Sequence, residues 1–257
     1  MEKWHYLLKF QYLGFRYHGW QKQPQVKTVQ FMLDRTLEFI LGHSNFKTLG
    51  SSRTDSMVSA MKTACTITIK DQNVEPKWLF SKLNENLPAD IKALSLERVD
   101  KNFQIINHAK LKTYYYLFSN ESKAYPFAAP YMCNIVEDLD IEIMKEGAKL
   151  FEGSHHFRAY CYKPTPGKVF DREIIHSQIA ENDLLNANFF PEKTFLYTVK
   201  GEGFMRHQIR LMMGALFRLG RGEITLTDIR DSLKEESECI GFVAPASGLI
   251  LGDLKFK

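Results

Sequence analysis

Residues 46–70 read FKTLG, then SSRTDSMVSAMK, then TACTITIK: two strand-like runs around a segment with no helical or strand period. Phe46 to Gly50 comes before the break, and Thr63 to Lys70 alternates small and apolar residues after it. That period of two marks a half-buried strand. About a dozen residues is long for a connection inside a domain, and such loops are more often functional than idle. This one holds Ser51-Ser52-Arg53-Thr54-Asp55. A carboxylate beside a cation stays ionised at neutral pH, so Asp55 could attack an electrophile without waiting for a base. Taken alone, the pair also reads as a surface ion pair or a helix cap.

Toward the N-terminus, Tyr6 to Tyr12 reads as a strand with Tyr6, Leu8, Phe10 and Tyr12 on one face. Val29 to Leu41 reads as a helix, because Val29, Met32, Leu33, Leu37 and Ile40 recur at three and four and Gly42 follows. Toward the C-terminus, a helix is predicted from Pro76 to Leu87 and a strand from Ala93 to Val99. The order β-α-β-β-α-β is the split-βαβ, or ferredoxin-like, pattern.

From Phe103 the pattern restarts more loosely. Strands are predicted at Lys112 to Ser119, Glu173 to Ala180, Thr194 to Lys200 and Leu249 to Phe256. Helices are predicted at Ile141 to Phe151, with Ile141, Met144, Ala148 and Phe151 inward, at Phe204 to Leu219 and at Thr227 to Lys234. The fold class is therefore α+β: two ferredoxin-like halves, 1–105 and 106–257, sharing a mainly antiparallel sheet with helices on one face. A cleft between such halves is a natural ligand site.

Hydrophobic content of 44% against 25% charged residues is that of a soluble globular chain with a real core. A net charge of +4 is too small to argue for nucleic-acid binding unless the cations cluster. Cys65, Cys133, Cys161 and Cys239 form no CxxC pair, so reduced, buried thiols in a cytoplasmic protein are expected. Trp4-His5-Tyr6-Leu7-Leu8 turns polar too soon for a signal peptide, and no run of eighteen apolar residues suggests a membrane span. His155 and His156 are adjacent on an extended segment and point opposite ways, and no carboxylate or Cys is spaced to complete a site, so no metal is expected.

A second basic group follows Gly201-Glu202-Gly203, which lacks the third glycine of a dinucleotide fingerprint. In the helix predicted from Phe204, Arg206 and Arg210 fall one turn apart on one face. Ile209, Met212, Met213, Leu216 and Phe217 form an opposite apolar stripe, and Arg218 and Arg221 add charge toward the C-terminal end. Solvated arginines on an amphipathic helix are the plainer account. Against it, a helix start favours anions such as phosphate. Gly214 inside the helix costs about 1 kcal/mol relative to Ala, which suggests close approach of another backbone. In Tyr114-Tyr115-Tyr116, Tyr114 and Tyr116 share one strand face; a cleft-lining tyrosine can stack on a base or move a proton.

In this order the chain resembles the tRNA pseudouridine synthase A (TruA) family nearly end to end. The resemblance rests on Tyr12-x-Gly14, Tyr17-x-Gly19-Trp20-Gln21-x-Gln23, Thr28-Val29-Gln30 and Arg53-Thr54-Asp55. It continues through Leu83-Asn84, Leu87-Pro88-x-Asp90-Ile91, Lys112-Thr113-Tyr114 and Gly153-x-His155-x-Phe157. Its longest stretches are Gly203-Phe204 to Gly222 and Ala244-Pro245-Ala246-x-Gly248-Leu249.

The resemblance implies a pseudouridine synthase fold and uridine-to-pseudouridine isomerisation in the tRNA anticodon stem-loop, typically at positions 38 to 40. It further implies a homodimer that needs no cofactor or metal. Asp55 would be the nucleophile, Tyr114 would stack on the flipped uracil and help remove the C5 proton, and Arg210 would pair with Asp55. Arg53 would help hold the target out of the stem. Arg53, Lys112, Arg206, His207 and Arg221 are the candidate RNA contacts. The loop departs from the family, which continues Ala-Gly-Val-His-Ala where this chain has Ser56-Met57-Val58-Ser59-Ala60 and has Gly where Ser52 stands. The alternative is therefore a catalytically silent or retargeted RNA-binding relative. A more distant one is a nucleoside hydrolase using Asp55 in a similar attack.

Overall fold

The computed structural model describes residues 2–120, 122–165, 167–235 and 237–256. They divide into two compact units, Met1–Lys110 with Leu251–Lys257, and Leu111–Ile250. The first unit runs β1 (Lys3–Tyr12), α1 (Val29–Leu41), β2 (Phe46–Gly50), β3 (Ser59–Lys70), α2 (Pro76–Asn86), β4 (Ile91–Arg98) and the short α3 (Ile105–His108). This is the predicted β-α-β-β-α-β order. β1 lies between β3 and β4, and β2 pairs with the outer part of β3, all antiparallel.

Alternation explains why β1 holds its place. Tyr6, Leu8, Phe10 and Tyr12 are buried on one face, where each large side chain contributes roughly 1.5–3 kcal/mol. The Tyr6 hydroxyl donates to the Val74 carbonyl at 2.7 Å and accepts the Val74 N–H at 3.1 Å. On the other face Leu7 packs with Ala64, Ile105 and Leu254, beside Val99, Phe103 and Phe256. Thr28 caps α1 by accepting the Phe31 N–H at 3.2 Å, and Gly42 ends it in the left-handed region at φ 72°.

β3 starts at Ser59, earlier than predicted, so the connecting loop is residues 51–58. The β1–β3 register shifts where Phe10 meets Thr63 and Tyr12 meets Ala60: the extra residue lies in β3, so the alternation seen from Thr63 onward does not carry back to Ser59, while that of β1 is kept.

The second unit contains β5 (Ala109–Ser119), β6 (Cys133–Asn134), α4 (Ile141–Lys149), β7 (Gly153–His156), β8 (Asp171–Glu181), β9 (Phe195–Gly201), α5 (Gln208–Gly220) and α6 (Leu226–Ser232). The final strand is β10 (Leu249–Phe256). β5 pairs with β9, β9 with β8 and β8 with β7, all antiparallel, while the two-residue β6 runs parallel to β5. The small elements β6, β7 and α3 are too short to show a period. α4 and α5 approach at glycines: a Cβ on Gly147 would lie 2.4 Å from Leu219, and one on Gly220 would lie 2.5 Å from Met144. Met144, Ala148 and Phe151 are buried as expected, but Ile141 is only half-buried. The Ser177 hydroxyl joins β8 to α4 and β9 through the Ala148 carbonyl at 2.6 Å and the Tyr197 hydroxyl at 2.9 Å.

Two further expectations are corrected. α5 begins at Gln208, not Phe204, and His207 before it is left-handed at φ 58°. The Met205 N–H donates to Gln208 Oε1 at 2.8 Å, a local side-chain bond that competes with helix continuation. Arg206 therefore stands outside the helix, and it does not stack one turn from Arg210. Cys65, Cys133 and Cys161 are buried, but Cys239 is exposed.

Candidate active site

The 51–58 loop is held from below by the segment that follows β1. A 3-10 turn at Gly14–Arg16 leads into Tyr17, whose carbonyl accepts the Met57 N–H at 2.9 Å and the Ser56 hydroxyl at 3.3 Å. The Trp20 N–H donates to the Thr54 carbonyl at 3.3 Å, and the Tyr12 and Thr54 hydroxyls bond at 2.7 Å. The Gly14 N–H donates to Ser59 Oγ at 2.9 Å. Asp55 is the half-buried carboxylate at the centre of these contacts, and its own carbonyl accepts the Val58 N–H at 3.3 Å. Arg53, two residues earlier, is exposed.

Only glycine allows this approach at two places. A Cβ on Gly14 would fall 2.0 Å from the Val58 carbonyl oxygen. Gly19, at φ 80°, would put one 2.5 Å from the Thr54 carbonyl oxygen and 3.1 Å from the carbonyl carbon of Asp55. The segment is anchored in turn by Asp90, which accepts from the Tyr17 hydroxyl at 2.6 Å and from Arg16 Nε at 2.8 Å. Burial and that carboxylate push the Tyr17 phenol far above its ordinary range, so it stays a donor. Burial does the same to Tyr12, against the opposing bond from Thr54. Met57 is left-handed at φ 66°, where a residue with a side chain is strained by about 1–2 kcal/mol.

In the second unit, Tyr114 is buried in β5, with the Phe204 ring meeting it edge-on at 5.2 Å and 82°. Lys112 faces Gly201 across the β5–β9 ladder, half-buried, and desolvation lowers its pKa below the ordinary lysine value. Arg210, in the first turn of α5, is half-buried; its Nε donates to the Ala244 carbonyl at 2.7 Å, and the Ala244 N–H returns to the Arg210 carbonyl at 3.1 Å. The same strand of chain passes over Gly214, where a Cβ would lie 1.8 Å from the Phe242 carbonyl oxygen, so the close approach expected from that glycine is real. Arg218 Nη1 donates to the Ile240 carbonyl at 2.6 Å, extending the contact to the far end of the helix. Tyr116 is structural: its hydroxyl donates to the Pro245 carbonyl at 2.8 Å, and burial raises its pKa well above the usual phenol value.

The structure brings Arg206 and His207 together just before α5, and sets Arg221 apart at the other end of that helix, about 21 Å away along the axis at 1.5 Å per residue. Arg221 is ion-paired with Glu137 and Glu223 and lies over the Phe242 ring. His155 Nε2 bonds the Glu152 carbonyl at 2.7 Å, and among the described residues no group of three His, Cys, Asp or Glu could hold a metal ion. No helix among those residues is long and apolar enough to cross a membrane.

Sequence reasoning noticed Tyr12, Tyr17, Gly19 and Gln208 only as matches or spacers, and missed that they support the site. The available signal was the pair of aromatics followed two residues later by glycine. The carbonyls that accept from the loop carry no side-chain signature.

Comparison with known proteins agrees along the chain. A family described as tRNA pseudouridine synthase matches residues 9–106 and 148–257. The protein is 31% identical over 253 residues to tRNA pseudouridine synthase A 2 of Bacillus thuringiensis subsp. konkukian, covering 98% of this chain and 99% of that one. It is 31% identical over 246 residues to tRNA pseudouridine synthase A of Dictyoglomus thermophilum, covering 95% and 96%. With tRNA pseudouridine synthase A of Clostridium botulinum (strain Eklund 17B / Type B) it shares 29% over 242 residues, 93% of each.

Proposed function

The chain belongs to the tRNA pseudouridine synthase family, whose members are isomerases, and from that membership we propose that it converts uridine to pseudouridine in the anticodon stem-loop of tRNA with Asp55 as nucleophile. The Asp55 carboxylate bonds to ribose C1′ as the bond from C1′ to uracil N1 breaks, and the electron pair leaves with the base. The uracil turns, a bond from C5 to C1′ forms, and the Asp55 oxygen departs. Loss of the C5 proton, helped by Tyr114, and gain of a proton at N1 complete the product. The covalent intermediate divides one hard exchange into two easier steps. Arg210 is the third catalytic residue of the proposal, and Arg53, Lys112, Arg206, His207 and Arg221 are its RNA contacts. The proposed assembly is a cytoplasmic homodimer, which light scattering of the purified protein tests directly.

The observation that carries this reading is the support beneath Asp55. A carboxylate on a loop fastened by the Tyr17 carbonyl, the Trp20 N–H and the Tyr12 hydroxyl is pre-positioned rather than a mobile surface charge. Purified protein given tRNA tritiated at uridine C5 should release tritium. Asp55→Ala should abolish release while tRNA affinity stays within a few fold. Wild-type turnover by that variant removes Asp55 from its role, and no release by the wild type from any tRNA favours the silent RNA-binding relative.

A further inference from the structure

Tyr162, which follows the 3-10 turn Arg158–Tyr160, gathers charge at the entry to α5. Its N–H donates to the Arg206 carbonyl at 3.0 Å, fastening the two segments together. Its ring centroid lies 4.6 Å from that of His207, with the planes 33° apart. The Arg206 guanidinium sits 5.0 Å from the same ring, and the Lys163 ammonium 5.5 Å. Arg206 and Lys163 are exposed, while Tyr162 and His207 are half-buried. Among the described residues neither cation is ion-paired with a carboxylate, unlike Arg221 or Arg218.

Two like charges drawn to one ring repel each other, and the ring's negative face offsets only part of that. An anion between them relieves the rest. A tyrosine that merely tethered the chain before α5 would not need two solvent-facing cations without acidic partners.

We propose that Tyr162, Arg206 and Lys163 form a phosphate-binding platform that takes a phosphodiester of the RNA substrate. The platform rests on the RNA-modifying reading above and adds Tyr162, as a positioning residue, and Lys163 to it. The ring draws Arg206 and Lys163 to one side chain, so that a phosphodiester seated there takes a contact from each.

The test is equilibrium binding of an unmodified anticodon stem-loop RNA at several salt concentrations, by wild type, Tyr162→Ala, Tyr162→Phe and Lys163→Gln. Tyr162→Ala and Lys163→Gln should each weaken binding about three- to tenfold at low salt and make the log–log salt slope shallower by about 0.7–0.9. Tyr162→Phe keeps the ring and should match wild type. Unaltered slopes in both Tyr162→Ala and Lys163→Gln overturn the platform, even if affinity falls, because a purely structural loss does not remove a phosphate contact. If thermal melting shows Tyr162→Ala unfolded, the surface variant Lys163→Gln decides alone. Binding is read without turnover, so the two proposals fail separately. Absent tritium release by wild type sinks the isomerase reading, whereas normal release with unaltered slopes in the variants sinks only the platform.

Discussion

Gly19 and Gly42 both sit at positive φ, 80° and 72°, yet they should respond differently to the same substitution. At Gly42 an added Cβ meets nothing within 4 Å, so Gly42→Ala should lose only the left-handed preference, about 1 kcal/mol. At Gly19 the Cβ would also strike the Thr54 and Asp55 backbone, so Gly19→Ala should cost about 2–3 kcal/mol. It should also slow turnover more than it weakens tRNA binding. Urea denaturation of both variants, with kinetics beside it, checks this; equal costs and unaffected turnover would show that the loop moves freely. Lys112 gives a pH prediction. Its folded pKa is depressed by burial, so between that value and the ordinary one the unfolded chain binds more protons, and stability should rise with pH across that window. If Lys112 contacts phosphate only when charged, RNA affinity should fall over the same window, and Lys112→Arg should flatten the fall. Asp55 stood out in the sequence as a candidate because a carboxylate beside an arginine in a loop is a chemical signal. Its supports were not, because backbone carbonyls and a left-handed Met57 are decided by how the chain closes.

Elements were legible where a period ran unbroken. α1 runs over Val29–Leu41, as its apolar spacing and Gly42 indicate, and β10 spans Leu249–Phe256 as predicted. α5 shows where the pattern fails: Phe204 and Met205 fit the apolar stripe, but Phe204 packs on Tyr114 and the Gln208 side chain captures the Met205 N–H. Tertiary contacts there outweigh a propensity worth tenths of a kcal/mol per residue. Gly214 tests the same helix. Propensity alone says Gly214→Ala stabilises it by about 1 kcal/mol. The geometry says otherwise, since the new Cβ would overlap the Phe242 carbonyl oxygen at 1.8 Å, and a backbone cannot step aside as a flexible side chain can. Overpacking of this kind costs about 1–3 kcal/mol, so the variant should be less stable than wild type. Thermal unfolding settles the sign, and a more stable Gly214→Ala would mean that residues 240–244 do not hold this course against α5.

For the molecule as a whole, the order of the longer strands and helices was legible because the first half follows a familiar alternation that the second repeats loosely, whereas no composition measure pointed to RNA. A net charge of +4 spread over 257 residues gives a weak long-range field, so RNA affinity must come from local clusters. With Arg221 already held by Glu137 and Glu223, Arg53, Lys112, Arg206 and Lys163 are the four candidate phosphate partners that have no carboxylate ion pair among the described residues. At about 0.7–0.9 ions released per contact, they predict a log–log salt slope near −3. Raising salt from about 50 to 200 mM should then weaken tRNA binding roughly 10²-fold. Free uridine binding should hardly respond, since it brings no phosphate. The comparison separates the favoured reading from nucleoside hydrolysis through Asp55: a hydrolase would take free nucleoside and liberate base with little dependence on salt. A flat slope for tRNA, joined to release of uracil from uridine, would move this chain's chemistry from isomerisation to hydrolysis despite its family.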